Sequence, residues 1–311
     1  MIKTKFKFKR NLSLILAILI VASLMPLGLP PAYITLLFLF YIYMTMANVF
    51  DLLSSYSGML ALGFHGFIGF GGYVTSIATT YWGFSALPSL LLSGALCALL
   101  ALATSFLISK MRGLYFAVGT LVTAQILFYW FQSWTYVGGG YGMPVVSYVT
   151  LHGLYYISLA FALISIFTSY TLIRSRIGLR LKAIADDDLA ASTYGIDVFK
   201  TKLLCWVISS IFAGFSGGLY FIYSNFISPG AAFSFYWTLS AIAAVAIGGR
   251  RTTLGPILGA FIVVLLRQTF LTLLPGLSAL VYGILIIIVL FLFPHGIIGY
   301  IGTFLGKEKQ K

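Results

Sequence analysis

Pro88-Ser-Leu-Leu-Leu-Ser-Gly-Ala-Leu-Cys-Ala-Leu-Leu-Ala-Leu-Ala-Thr-Ser-Phe-Leu-Ile-Ser109 runs for 22 residues without a charge, and Lys110 and Arg112 follow at once. A helix crosses the hydrocarbon core of a bilayer in about 20 residues, so this stretch has the length and composition of one membrane span with a basic anchor. Blocks of the same kind recur near 12–29, 32–51, 58–80, 113–134, 153–173, 202–224, 235–249, 254–272 and 278–295. Break signals separate them: Pro26, Pro30-Pro31, Gly138-Gly139-Gly140 to Pro144, Pro229-Gly230, Pro275-Gly276 and Pro294. The expected fold class is all-α, a polytopic transmembrane helical bundle of about ten spans, forming a single domain over residues 1–311.

Composition narrows the function classes. Of 311 residues, 60% are hydrophobic, 17% aromatic and only 8% charged. Soluble domains carry about 25% charged residues, so this chain cannot coat a water-facing surface, and the same figures exclude intrinsic disorder. The net charge of +13 does not indicate a nucleic-acid partner, because the Lys and Arg residues gather at the edges of apolar blocks rather than forming a stripe. The partner they imply is the lipid bilayer. Cys97 and Cys205 lie inside apolar runs, with no CxxC or Cys/His cluster, and read as small buried hydrophobes.

Charge also orients the chain. With the N-terminus in the cytosol, the inner segments 1–10, 110–112, 174–202, 250–251 and 296–311 hold eighteen of the nineteen Lys and Arg residues. Such a positive-inside bias is expected only in the correct frame. It predicts a multi-pass protein of the cell (inner) membrane, with a basic cytosolic N-terminus (1–11), a cytosolic segment (174–202) and a cytosolic tail (296–311). The run Leu12–Leu29 behind five cations also has the form of a signal peptide. The nine apolar blocks that follow favour its retention as a first span. Arg267 is the exception, toward the outer end of the ninth block. It reads either as a snorkelling cation or as a charge at the outer mouth that attracts a substrate carboxylate.

Several chemistries are missing. No GxxxxGK[ST] phosphate loop occurs, so ATP binding through such a loop is excluded. His65, His152 and His295 are too dispersed for a metal site or proton relay, and Asp51 is the one acid outside 174–202 and the tail. No catalytic, cofactor-binding or metal-binding residues are assigned, and an external energy source is favoured over internal ion coupling. Gly58, Gly63, Gly66, Gly69, Gly71 and Gly72 crowd the third block. Broken helices are tolerated in a bilayer only where protein or a water-filled path buries the backbone, so these glycines read equally as a translocation lining or as close helix packing. For the pairs Gly214/Gly218 and Gly255/Gly259 packing is the better reading.

The 174–202 segment holds six basic residues and Asp186, Asp187, Asp188 and Asp197. A helix is expected from about Leu179 to Tyr194, with Gly195 ending it as the residue past the cap. Taken alone, this is a solvated loop helix with small apolar residues on one side.

Asp186-Asp187-Asp188-Leu189-Ala190-Ala191-Ser192-Thr193-Tyr194-Gly195-Ile196 resembles the cytoplasmic EAA loop of ABC-importer permeases. Ala190, Ala191 and Gly195 match directly; Leu189 stands at the usual Glu, and Asp188 matches the acid of the branched-chain amino-acid version. The likeness extends through Arg112-Gly-Leu-Tyr-Phe-Ala117, Thr120-Leu-Val-Thr-Ala-Gln-Ile126, Gly138-Gly139 with Gly142, Lys202 to Tyr220, Ser228-Pro229 and Ile247 to Ala260. In order, these segments resemble the M-type (LivM-like) permease subunits of branched-chain amino-acid ABC importers. The resemblance implies a transport subunit, not an enzyme, that forms the translocation path. Its partners would be ABC ATPase subunits that use the ATP, a second permease that is a different chain, and an extracytoplasmic substrate-binding protein. It implies ATPase coupling through Asp188, Ala190, Ala191 and Gly195.

The family's Gly-Gln-Leu-Ser-Leu-Gly-His reads here Gly58-Met59-Leu60-Ala61-Leu62-Gly63-Phe64, with His65 one place late, and Tyr141 replaces an acid. The candidate path residues are therefore Gly58, Met59, Gly63, Phe64 and His65, in a less polar lining than usual. A permease for urea or another small solute stays open as an alternative, as does a self-contained secondary transporter. A membrane enzyme is disfavoured, because no acid–base constellation is present.

Overall fold

The computed structural model describes residues 25–273, 283–284 and 296–298. The basic N-terminus, most of the expected first span, the tenth span and most of the tail lie outside the described residues. Among the described residues twelve α-helices follow one another: α1 (Pro31–Asp51), α2 (His65–Thr80), α3 (Ala86–Ala103), α4 (Phe106–Lys110), α5 (Gly113–Ser133), α6 (Leu151–Arg174), α7 (Arg176–Asp186), α8 (Asp188–Thr193), α9 (Val198–Ser224), α10 (Pro229–Ala232), α11 (Tyr236–Gly248) and α12 (Gly255–Leu273). Among the described residues, six helical stretches are long and apolar enough to cross a membrane: Pro31–Tyr56, Ala86–Lys110, Gly113–Ser133, Leu151–Arg174, Val198–Ser224 and Pro229–Gly248. The chain is a helical, multi-pass membrane protein.

α1 is the axis of the bundle. Pro31 opens it at a position where the missing N–H costs nothing, and the helix runs on into a π-helical turn, Leu52–Tyr56. Every residue from Tyr41 to Leu53 is buried, as expected of a helix that is apolar all round. It packs against α6, α9, α11 and α12. Polar clamps fix its rotation: Asn48 Nδ2 donates to Ser169 Oγ of α6 (3.0 Å), the Tyr41 and Tyr155 hydroxyls are 3.2 Å apart, and Ser209 Oγ of α9 donates to the Val49 carbonyl (3.0 Å). Between membrane helices such bonds contribute about 1 kcal/mol each.

Glycine sets the closest approaches. A Cβ on Gly71 of α2 would overlap the backbone of Gly214 on α9, and one on Gly217 would strike the Ile68 carbonyl. Gly218 meets Thr75, and Gly259 of α12 lies against the Ala244 carbonyl of α11. Helix packing accounts for the glycine pairs on α9 and α12. The glycines of α2 pack the same way, Gly66 against Ala124 and Gly72 against Phe221. Cys97 and Cys205 are free and buried. At one end of the bundle, Met143 pairs with Ile227 and Pro144 with Phe226 in a short antiparallel ladder. Lys110, Arg174 and Arg251 stand at helix ends or in their connections at the opposite, basic end.

Two expectations need correction. The third block, 58–80, is helical only from His65. Residues 57–64 form an irregular joint, because their backbone groups find partners elsewhere: Met59 N donates to the Leu53 carbonyl (3.0 Å) and Gly63 N to Thr120 Oγ1 of α5 (3.1 Å). Gly58 turns the chain at φ +69°. The helix expected from Leu179 to Tyr194 is two helices, broken at Asp187. This residue is extended (φ −158°), and its carboxylate accepts from Leu189 N (2.7 Å) and Ala190 N (3.1 Å). Side-chain capping by Asp competes with helix continuation at this position.

Candidate functional site

The joint between α1 and α2 gathers the five residues singled out in the sequence. Met59, Gly63, Phe64 and His65 are buried, whereas Gly58 is exposed. Phe64 meets Phe50 of α1 edge-on at 5.4 Å. His65 is held by Thr238 of α11, whose Oγ1 accepts from the His65 backbone N–H (3.0 Å) and lies 2.9 Å from Nδ1. Phe235 crosses the imidazole edge-on at 5.7 Å. Gly63 has no room for a side chain, because a Cβ there would collide with the Thr120 carbonyl. Gly58 and Met59 line a cavity of only about 10 Å³, beside Arg112, Phe116 and Lys202. That volume is near the minimum for one water. In this conformation Met59, Gly63, Phe64 and His65 form a closed, packed joint.

Below the joint, α7 and α8 stand at the basic end. Ser175 Oγ caps α7 by accepting from Ile177 N (3.1 Å). Gly195 ends α8 as the sequence predicts. Its φ is +78°, its N–H donates to the Ser192 carbonyl (3.0 Å), and Ile196 N donates to the Ala191 carbonyl (3.2 Å). Those two bonds are the Schellman pattern. The Ala-Ala pair divides: Ala191 is buried inside the chain, whereas Ala190 is exposed together with Leu189 and Tyr194, the last 86% exposed. Asp188 is tied inward by an ion pair with Lys202 of α9 at 2.5 Å. Asp197 caps α9 by accepting from Lys200 N (3.0 Å), and that bond together with the Lys200 ammonium holds its carboxyl below the usual range.

The joint and the helix pair touch. A Cβ on Gly58 would lie 3.6 Å from Ala185 Cα of α7. Arg251 bridges the same elements: its backbone N–H donates to Asp51 Oδ1 (3.3 Å), its Nε to the Ser55 carbonyl (2.8 Å), and its Nη2 lies 3.8 Å from Asp186 Oδ1. α7 thus lies against both the π-helical turn of α1 and the joint. Among the described residues, no group of three or more His, Cys, Asp or Glu is placed to hold a metal.

Residues 32–290 match the family described as branched-chain amino acid transport system, permease component. The chain belongs to this family. The permease LivM of the high-affinity branched-chain amino acid system of Escherichia coli K12 is 26% identical over 292 residues, covering 84% of this chain and 68% of LivM. Its Salmonella typhimurium LT2 counterpart is 25% identical over 286 residues, 82% and 67% of the two chains. A probable branched-chain amino acid permease, LivH of Methanocaldococcus jannaschii, is 31% identical over 156 residues, 47% of this chain and 49% of LivH. No solved structure matches the chain.

Within this permease fold, Arg267 faces the bundle interior rather than lipid. It follows Ala260, Val263 and Val264, all buried, at helical spacing on the inward face of α12. Its guanidinium lies 6.0 Å from the Tyr43 ring and 5.9 Å from the Tyr236 ring, with Tyr220 as a further neighbour. Among the described residues no carboxylate pairs with it. Thr120 and Lys202 enter the sequence reading only within resembling segments and Arg251 only as an inner cation; no site role was assigned to them or to Thr238.

Proposed function

We propose that this chain is the permease subunit of an ABC importer for branched-chain amino acids. It forms part of the membrane path and couples that path to ATP hydrolysis on a separate ATPase. The observation that carries the reading is the family match over residues 32–290 together with a capped helix pair that leaves Leu189, Ala190 and Tyr194 uncovered at the basic end. The LivM relatives are named for high-affinity branched-chain amino acid transport. ATP belongs to the ATPase partner, and this chain carries no cofactor.

The finer parts of the proposal are these. The chain makes about ten crossings, retains its first span and keeps both termini and 174–202 in the cytosol. The α7–α8 pair is the coupling element: Leu189, Ala190 and Tyr194 meet the ATPase, Ala191 and Asp188 seat the pair on the permease, and Gly195 sets its end. The residues from Gly58 to His65 are the moving joint of the path, consistent with a π-helical turn at its edge. A second permease chain and an extracytoplasmic binding protein complete the assembly. Arg267, an intramembrane cation facing the bundle interior, receives the substrate carboxylate.

Co-purification and labelling test this reading. Full-length chain is expected to recover its ATPase subunits from membranes. Single cysteines at Ser175 and Ser224, in a background lacking Cys97 and Cys205, are expected to react from opposite sides. Same-side labelling would overturn the layout, and recovery of transport-competent chain without any ATPase would overturn the coupling role.

A further inference from the structure

A cavity of about 250 Å³ opens at the basic end, between the last turn of α6 and the connection from α11 to α12. Its wall brings together Arg174, Arg251 and Thr253, with Ile173 and Leu254 as an apolar flank. Among the described residues no carboxylate lines it. Arg174 closes α6 with its guanidinium stacked on Tyr170 at 4.3 Å, and no ion pair holds it among the described residues. Arg251 spends its Nε on the Ser55 carbonyl and sits only loosely against Asp186, at 3.8 Å. Its other guanidinium N–H groups remain for a further acceptor. Thr252 is already used, accepting from Gly255 N and donating to the Gly249 carbonyl. Thr253 and Leu254 are exposed.

Arg174 and Arg251, both exposed, place two positive charges on one cavity, and planar guanidinium forks suit phosphate oxygens well. The depth of the site favours the same group. Arg174 ends a 24-residue apolar helix, so the cavity mouth stands at headgroup level, where basic pockets between helices bind anionic lipid. Ile173 and Leu254 offer the apolar border that an acyl chain needs, which a free ion would not use.

We infer that this cavity is a binding site for a phosphate group, and that its source is the headgroup of an anionic phospholipid. Arg174 and Arg251 supply the charge, and Thr253 supplies a hydroxyl at the rim. Arg251 also bridges Asp51 and Asp186, so a filled site holds the joint and α7 in their present relation. The inference stands on the cavity itself and does not depend on the transport reading.

Native mass spectrometry of the full-length chain tests it, with phosphatidylglycerol and phosphatidylcholine offered at equal concentration. The chain is expected to retain phosphatidylglycerol about fivefold better, as a basic headgroup pocket should. Arg174→Gln should remove most of that preference at unchanged melting temperature, and Arg251→Gln should remove it as well. Arg180→Gln, an exposed cation outside the cavity, should leave it intact. Loss of the bound lipid to millimolar inorganic phosphate would keep the phosphate site and reassign its source to the free ion. Equal retention of the two lipids, or a preference untouched by Arg174→Gln, would overturn the inference. The arginine on α6 keeps the test open should Arg251→Gln fail to fold.

Discussion

Lys202 Nζ stands 2.5 Å from Asp188 Oδ2, joining the start of α9 to the first residue of α8 across fourteen positions. The side chains are only 11% and 22% exposed, so the pair is partly shielded from water and differs from the solvent-exposed Lys200–Asp197 pair. It holds the whole 186–196 stretch against the permease, leaving Leu189 and Tyr194 outward.

Breaking that pair should loosen the segment without unfolding the bundle. Removing one partner leaves a half-buried charge, at a cost of about 2 kcal/mol. Lys202→Ala is expected to speed trypsin cleavage at Arg180 and Lys182 severalfold while Tm of the membrane core stays in place. Asp188→Ala should match it, and the double mutant should add little beyond either single change. Cleavage at the wild-type rate in both single mutants would show that the pair does not hold the segment.

Gly195 separates backbone strain from steric clash. Its φ of +78° is left-handed, yet a Cβ there meets nothing within 4 Å. Gly195→Asn should be tolerated, because Asn visits this region readily. Gly195→Val should cost about 1–2 kcal/mol and reduce ATPase recovery. Equal recovery for both variants would remove the role of the left-handed turn.

The joint should be intolerant of bulk. Gly63→Ala drives a methyl into the Thr120 carbonyl, and backbone has little freedom to yield, so a loss of about 3 kcal/mol is expected. Gly230→Ala is the control: nothing lies within 4 Å of its added carbon, and its effect should stay within about 0.5 kcal/mol. Melting curves of the two variants in detergent decide the matter, and equal Tm would contradict the packed joint.

Arg267→Gln should lower leucine uptake about tenfold, the cost of one charge-assisted hydrogen bond, with ATPase recovery unchanged. Arg267→Lys should restore part of it, because the charge returns without the planar fork. Uptake at the wild-type level in Arg267→Gln would reduce this residue to a packing partner of Tyr43 and Tyr236.

The helices were legible because hydropathy and charge report them directly: Lys110, Arg174 and Arg251 mark block ends that the structure keeps. Gly195 was legible because a left-handed cap has its own residue type. The joint was not. Gly58 to Phe64 is as apolar as a span, and hydropathy does not reveal that the Gly63 N–H donates to Thr120 Oγ1 of α5. The break at Asp187 was hidden for a related reason. Three consecutive aspartates can each cap or extend a helix, and only the fold selects which one turns out. Arg251 was invisible as a bridge because its partner Asp51 lies 200 residues away.

The central claim is that the chain moves amino acid only when an ATPase drives it through α7 and α8. Leucine uptake and ATP hydrolysis, measured together in proteoliposomes holding the chain, its second permease, the ATPase subunits and the binding protein, test it most directly. Uptake should require ATP and every component, and Tyr194→Ala with Leu189→Ala should lower uptake while the permease stays folded. Leucine accumulation by this chain with no ATPase present would contradict the account.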